Sequence, residues 1–188
     1  MLYVVRHGQT AHNAGGLLLG SSDIPLDDEG RRQAAKLGCI PELAGASGVV
    51  SSPLMRALDT AAALGPPVSV DERWREIDYG SFEGVPVSAA GHLWDRWSVD
   101  LAYRPPGGES LAEVSARVRV ACEELREEAS DCDVVVVSHV SPIKAAVAWA
   151  LGVGDEICWR TYLATASITV IGAGRAGPSL RGFNLPGG

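Results

Sequence analysis

Short apolar runs alternate along this chain with longer segments of helical periodicity. Runs at 2–5, 48–51 and 68–70 predict strands, each followed by polar residues. The run at 133–137, DVVVV, is apolar without alternation, which is typical of a strand buried on both faces of a parallel sheet. Segment 166–171 alternates in character and predicts a final strand, antiparallel or at an edge. The Gly-rich tail beyond it is only weakly specified.

Helix signals follow the predicted strands. Asp27 is followed by two acidic residues that complement the positive end of a helix dipole, so a helix should open there. After the second strand, Ser52 is the expected N-cap and Pro53 the first helical residue, which places Arg56 in the first turn. The stretch 71–109 contains no comparable signal, and we expect it to be irregular.

Two further helices are predicted in the second half of the chain. Ser110 and Glu113 have capping-box spacing and precede a long apolar stripe. Ser141 and Pro142 should start another helix, which ends at Gly152. Together these units predict a three-layer α/β/α sandwich with a mainly parallel, mixed central sheet. At 188 residues, the chain suits one domain over 1–188, with a substrate-side insertion at about 85–109.

Composition narrows the function classes. The formal charge of −7, from 16 Lys and Arg against 23 Asp and Glu, disfavours a nucleic-acid-binding surface. The chain has neither a basic leader nor a long apolar window, so we expect a soluble cytoplasmic protein without membrane association. Its 4 cysteines are scattered and should be free thiols.

Reactive side chains follow three of the predicted strands. Arg6 and His7 come after the first, Arg56 one turn beyond the second, and His139 after the valine run. Because ligands bind outside the carboxyl ends of strands in such sheets, these side chains should converge. Two arginines beside helix N-termini favour a phosphate. A neutral histidine can then attack phosphorus while a protonated one binds the transferring group, and Glu76 is the candidate proton donor.

Five segments in order resemble the histidine phosphatase superfamily, also called the phosphoglycerate mutase-like fold. They are RHGQTAHN, SSPLMRALDTA, REIDYGSFEG, PPGGES and VSHVSPIK. The resemblance implies that His7 is the nucleophile, that Arg6, Arg56 and His139 surround the phosphoryl group, and that Glu76 is the proton donor. No metal and no cofactor is implied.

The resemblance also implies contacts around the substrate. Thr10 and Asn13 match positions that line the phosphate and substrate side of the pocket. Val140 replaces the Gly that many members have, which leaves a backbone N–H available in a tighter pocket. The segments IDYGSFEG and PPGGES resemble the phosphatase branch, and VVSHVSPIK with a late LRGFN resembles alpha-ribazole phosphatases. The expected partner is a small phosphomonoester.

Several alternatives stay open from sequence. A cofactor-dependent phosphoglycerate mutase and a non-catalytic scaffold share this fold, and a homodimer is neither required nor excluded. Asp78 and Glu83 compete with Glu76 as the acid. Three aromatic residues, Trp94, Trp97 and Tyr103, are expected in a small core or in dimer contacts rather than against a substrate ring. Lys144 is expected to be solvated.

Overall fold

Six strands form one mixed sheet in the order β3-β2-β4-β1-β5-β6. The structure is a computed structural model and describes residues 1–174 and 176–188. The strands are β1 Leu2–Arg6, β2 Gly48–Ser51, β3 Val68–Val70, β4 Val134–Ser138, β5 Ile168–Gly174 and β6 Gly177–Leu185. β2 is parallel to β3 and β4, and β4 is parallel to β1. β5 runs antiparallel to both β1 and β6. The predicted mixed α/β architecture is confirmed.

Helices cover both faces of the sheet. They are α1 Ala11–Ala14, α2 Asp28–Leu37, α3 Pro41–Ala44, α4 Met55–Ala62, α5 Gly91–Val99, α6 Leu111–Ala129 and α7 Val140–Leu151. Short 3₁₀ turns lie at Glu72–Trp74, Gly80–Phe82, Val87–Ala89 and Asp155–Arg160. Within residues 1–174 and 176–188, no helix is long and apolar enough to cross a membrane.

The valine run of β4 supplies both hydrophobic cores. Val134 and Val136 pack into the core that contains residues of α6 and α7, while Val135 and Val137 pack into the core that contains residues of α2 and α4. Successive side chains of a strand point to opposite faces, so an unbroken apolar run is required where helices cover both faces. β4 lies between β1 and β2, and this position brings the ends of all three strands together.

Two helices begin at other residues than predicted. α4 starts at Met55 with Leu54 as N-cap, rather than at Pro53. Leu54 has an extended backbone, with φ −73° and ψ 136°, so the helix cannot begin before it. The Ser52 hydroxyl lies 2.7 Å from Nε2 of His139 instead of capping the helix. α7 starts one residue before the predicted Ser141, with His139 as N-cap. The capping box at Ser110 and the left-handed C-cap at Gly152 are as predicted.

The prediction of an irregular stretch at 71–109 was wrong in part, because α5 lies within it. Leu93 and Trp97, spaced one helical turn apart, bury one face of this helix. The segment predicted as the last strand, antiparallel or at an edge, is β5, which is antiparallel to its neighbours and does not lie at the edge. The tail beyond it returns as β6, which pairs antiparallel with β5, with register shifts between Ile168 and Val170 and between Val170 and Ile171. The residues of β6 are all at least partly exposed, so no alternation of buried and exposed positions marks this strand.

Candidate active site

His7 stands at the carboxyl end of β1, where its ring is held in one orientation. Nδ1 lies 2.6 Å from the carbonyl oxygen of Gly8. Because a carbonyl only accepts, Nδ1 carries the hydrogen, and Nε2 keeps its lone pair without a hydrogen-bond partner among the described residues. Burial, with the charges of Arg6 and Arg56, lowers the pKa of His7 well below its usual value. The imidazole is therefore neutral and nucleophilic.

Close backbone packing explains the glycine after the histidine. A Cβ at Gly8 would lie 2.5 Å from the carbonyl oxygen of Gly30, which is shorter than such contacts allow. The Gly8 N–H also donates to the hydroxyl of Thr60 on α4, at 3.1 Å. The carbonyl that orients His7 is thus fixed by two neighbouring helices.

Arg6 lines the cavity in front of His7. Its Nη1 donates to the carbonyl oxygen of Leu163 at 2.6 Å, while Nε is buried with no partner in the described chain. Burial lowers the pKa of Arg6, and the nearby Glu76 opposes that shift. The guanidinium therefore stays charged and keeps donors that the protein does not use.

Arg56 is fully buried and held on three sides. Nη1 and Nη2 donate to the carbonyl oxygens of Ser22 at 2.8 Å and Gly20 at 2.7 Å, and Nε donates to Nδ1 of His139 at 3.2 Å. Burial lowers its pKa to about 10, so it is cationic at neutral pH. Arg56 does not line the cavity. Its charge is one of the causes that lower the pKa of His7.

His139 corrects the expectation of a protonated second histidine. Its Nδ1 accepts from Arg56, so the ring hydrogen sits on Nε2 and donates to the hydroxyl of Ser52 at 2.7 Å. Burial and the charge of Arg56 lower its pKa well below the usual value. The His7 and His139 ring centroids are 5.0 Å apart. In this state, His139 is neutral, and it lies between the nucleophile His7 and the Arg56 guanidinium.

The Glu76 carboxylate lies in the cavity wall and is 4% exposed. Oε1 accepts from the N–H groups of Ile77 at 2.9 Å and Ser141 at 3.0 Å, and Oε2 accepts from Val140 at 3.0 Å. The N-terminus of α7 therefore binds Glu76, where a phosphate had been expected. The Val140 N–H is correspondingly not free for substrate, although Val140 lines the cavity.

The competing acids lie elsewhere. Glu83 accepts from the backbone of the 20–22 loop and from Tyr79, and Asp78 accepts from the Gly80 N–H at 2.8 Å. Neither residue lines the cavity that holds His7. Among the three candidates, Glu76 alone faces the nucleophile.

Thr10 and Asn13 form a capping box at the start of α1. The Thr10 hydroxyl accepts from the Asn13 N–H at 3.2 Å, and the Asn13 amide oxygen accepts from the Thr10 N–H at 3.1 Å. Asn13 lines the cavity, but Thr10 is completely buried and does not. Thr10 is thus placed to orient Asn13 rather than to contact a substrate.

The cavity has a volume of about 410 Å³ and is formed at the carboxyl ends of the central strands. Among the predicted residues, its walls include Arg6, His7, Asn13, Glu76 and Val140, whereas Thr10, Arg56 and His139 lie outside its lining. Tyr79, Trp94 and Tyr162 also line it; sequence reasoning missed the two tyrosines and assigned Trp94 to packing rather than to the site. The position of Tyr79 beside Glu76 in IDYG was the available signal, whereas Trp94 and Tyr162 reach the cavity through tertiary packing.

Lys144 corrects another expectation, since it is half-buried rather than solvated. Its Nζ donates to the carbonyl oxygen of Cys158 at 2.8 Å, and burial lowers its pKa. Within residues 1–174 and 176–188, no three His, Cys, Asp or Glu side chains are grouped as metal ligands would be. The same part of the chain contains 4 free cysteines and no disulfide.

Comparison with known proteins agrees with this geometry. The family model described as histidine phosphatase superfamily (branch 1) matches residues 2–186. The chain belongs to the histidine phosphatase superfamily. A solved phosphoserine phosphatase from Entamoeba histolytica, a mutant in complex with phosphoserine, has a TM-score of 0.88 at 26% identity and covers 97% of this chain and 95% of its own. The alpha-ribazole phosphatase from Shigella flexneri has a TM-score of 0.83 at 25% identity, with the same coverage.

The curated relatives of this chain differ from one another in length and in name. A bifunctional protein from Mycobacterium tuberculosis is 37% identical over 178 residues, which are 90% of this chain but 49% of the relative. The chain thus spans about half the length of the first relatives it matches. A glucosyl-3-phosphoglycerate phosphatase from Mycolicibacterium vanbaalenii is 38% identical over 167 residues, 80% of this chain and 74% of the relative. Salmonella relatives at 34% identity over 179 residues bear a phosphoglycerate mutase name, with coverage of 90% and 83%.

Proposed function

We propose that this protein hydrolyses a small phosphomonoester through a phosphohistidine on His7, without a metal ion or other cofactor. The observation that carries the proposal is the hydrogen bond from His7 Nδ1 to the Gly8 carbonyl oxygen, at 2.6 Å. It leaves Nε2 as the free nucleophile, in a cavity that Arg6 also lines. The phosphatase names of several relatives support hydrolysis of phosphomonoesters.

In the first step, Nε2 of His7 attacks phosphorus and the ester P–O bond breaks. The phosphorylated imidazole carries a positive charge because Nδ1 keeps its hydrogen, and the Gly8 carbonyl oxygen stabilises that charge. Arg6 binds the equatorial oxygens, over which negative charge spreads in the transition state. The leaving alkoxide takes a proton from the Glu76 carboxyl group.

Glu76 gives this proton from a carboxyl group that three backbone N–H groups hold in the cavity wall. In the second step, the Glu76 carboxylate accepts a proton from water as the water attacks phosphorus. The P–N bond breaks, inorganic phosphate leaves, and both His7 and Glu76 return to their starting states.

A phosphoglycerate mutase is the second candidate, favoured by the name of the Salmonella relatives. The two activities share the phosphohistidine and differ in the group that accepts the phosphoryl. A mutase would need a bisphosphorylated primer to load His7, whereas a phosphatase releases inorganic phosphate without one.

The test is phosphate release from a panel that includes alpha-ribazole phosphate, phosphoserine, sugar phosphates and phosphoglycerates, in the presence of EDTA. Wild type should release phosphate, and His7→Ala should not. Primed interconversion of phosphoglycerates without phosphate release would identify a mutase. A wild type that is inert on the whole panel would favour the non-catalytic scaffold.

A further inference from the structure

A second cavity of about 340 Å³ adjoins the one that contains His7. The two cavities share three wall residues, Tyr79, Trp94 and Val140. The second space, which we call the aromatic chamber, therefore lies next to the position that a group bonded to a phosphoryl at His7 would occupy. Its volume lies within the range typical of small-molecule sites.

Three tryptophans form the walls that give the chamber its name. Trp94 and Trp97 come from α5, and Trp159 comes from the turn Asp155–Arg160. The ring centroids of Trp94 and Trp97 are 5.9 Å apart. The centroid of Trp159 lies 6.1 Å from that of Trp94 and 6.5 Å from that of Trp97. Two segments separated by a long stretch of sequence thus bring indole rings to one place beside the active site.

The three rings differ in how firmly the protein holds them. Trp97 is 1% exposed, and its Nε1 donates to the Tyr103 carbonyl oxygen at 2.8 Å. Trp159 is 39% exposed although it faces its two partners. Trp97 therefore anchors the cluster, while Trp159 and Trp94 retain surface that an apolar group could cover.

Among the described residues that line the chamber, Lys144 is the one cation. Its Nζ contacts the Cys158 carbonyl oxygen, and an ammonium carries three donors. An acceptor atom on a bound ring could therefore pair with Lys144 while the ring faces contact indole.

We propose that the aromatic chamber binds the alcohol half of the substrate and selects phosphomonoesters whose alcohol half carries a flat ring. This inference rests on the proposed function, since the chamber matters only if phosphate occupies the neighbouring cavity. It revises the sequence-based view of Trp94 as a core residue. It also distinguishes this chain's preferred substrate class from short, ring-free esters such as phosphoserine.

The test compares naphthylmethyl phosphate with ethyl phosphate, because both release primary alkoxides and differ mainly in the ring. Wild type should prefer the naphthyl ester in kcat/KM. In Trp159→Ala, this preference should fall about 10-fold, the loss expected for one aromatic contact. Trp159→Phe keeps a ring and should retain most of the preference. Leu151→Ala removes a side chain of comparable exposure outside both cavities and should leave the ratio unchanged.

A binding measurement separates failure of the chamber from failure of catalysis. His7→Ala should bind naphthylmethyl phosphate more tightly than ethyl phosphate by calorimetry, and adding Trp159→Ala should remove about 10-fold of that difference. Equal binding of both esters, or a ratio that Trp159→Ala leaves intact, would overturn the chamber proposal. Ring-selective binding by a wild type that turns over neither ester would instead refute the proposed function alone.

Discussion

Replacing Glu83 by Gln should destabilise the protein without removing its proton donor. The Glu83 carboxylate accepts five hydrogen bonds: from the N–H groups of Gly20, Ser21, Ser22 and Tyr79, and from the Ser22 hydroxyl. Three of them reach Oε2 and two reach Oε1. Whichever way the Gln amide is turned, at least two donors will face its NH₂ group.

Each buried donor left without an acceptor costs about 1–3 kcal/mol. Two such donors in a partly exposed loop give a loss of roughly 2–4 kcal/mol in the free energy of unfolding, or roughly 4–16 °C in Tm for a chain of this size. Activity should also fall, because the carbonyl groups of Gly20 and Ser22 hold Arg56. The shape of the pH–rate profile should not change, since Glu83 transfers no proton.

Thermal unfolding and a pH–rate profile for Glu83→Gln, with Glu76→Gln as the matched variant, measure both effects. Glu76→Gln should lower kcat by about 10²–10⁴-fold and remove one limb of the profile, as loss of a general acid does. The reasoning is refuted if Glu83→Gln unfolds like wild type, or if it is Glu83→Gln that removes the limb.

Three further predictions concern pH, the buried arginine and a helix cap. His7 and His139 have lowered pKa values, so the unfolded state binds more protons than the folded state below about pH 6.5. The free energy of unfolding should therefore fall as the pH drops, by up to about 2.7 kcal/mol per pH unit. Urea denaturation from pH 7 to 5 measures this change, and a flat response would contradict it. Arg56→Lys loses the planar fork and should lower kcat/KM by about 10²-fold in the phosphate-release assay, whereas retained activity would show that any cation suffices. Ser110→Ala removes the acceptor for the Glu113 N–H at the start of α6 and should cost about 1 kcal/mol in chemical denaturation, with unchanged kcat as the control; a stability equal to wild type would refute the role of the cap.

Local patterns predicted the parts of the fold whose causes are local. The valine run fixed β4 between two layers of helices, and the spacing of Ser110 and Glu113 marked the start of α6. α5 and β6 were missed because their burial depends on partners distant in sequence. The Trp97 ring, for example, lies 6.0 Å from the ring of Tyr79 and 6.5 Å from that of Trp159, and both partners are distant in sequence.

In the candidate site, too, features with local causes could be predicted, and features that depend on residues distant in sequence could not. Topology predicted that Arg6, His7, Arg56 and His139 meet at the strand ends, but of these four only Arg6 and His7 line the cavity. Glu76 reaches the same cavity from the segment that follows the turn Glu72–Trp74. The protonation of His139 could not be inferred from sequence, because it depends on an Arg56 donor from another helix. Likewise, the carboxylate of Glu76 occupies the N-terminus of α7, a position that sequence alone had offered to phosphate.

In the proposed mechanism, His7 carries the phosphoryl group during turnover. Wild type mixed with a substrate from the panel should be quenched in alkali, which preserves phosphohistidine, and its peptides analysed by mass spectrometry. One phosphoryl group should be found on His7, formed at least as fast as phosphate is released and absent in His7→Ala. Turnover without modification of His7, or with the phosphoryl group on His139, would contradict it.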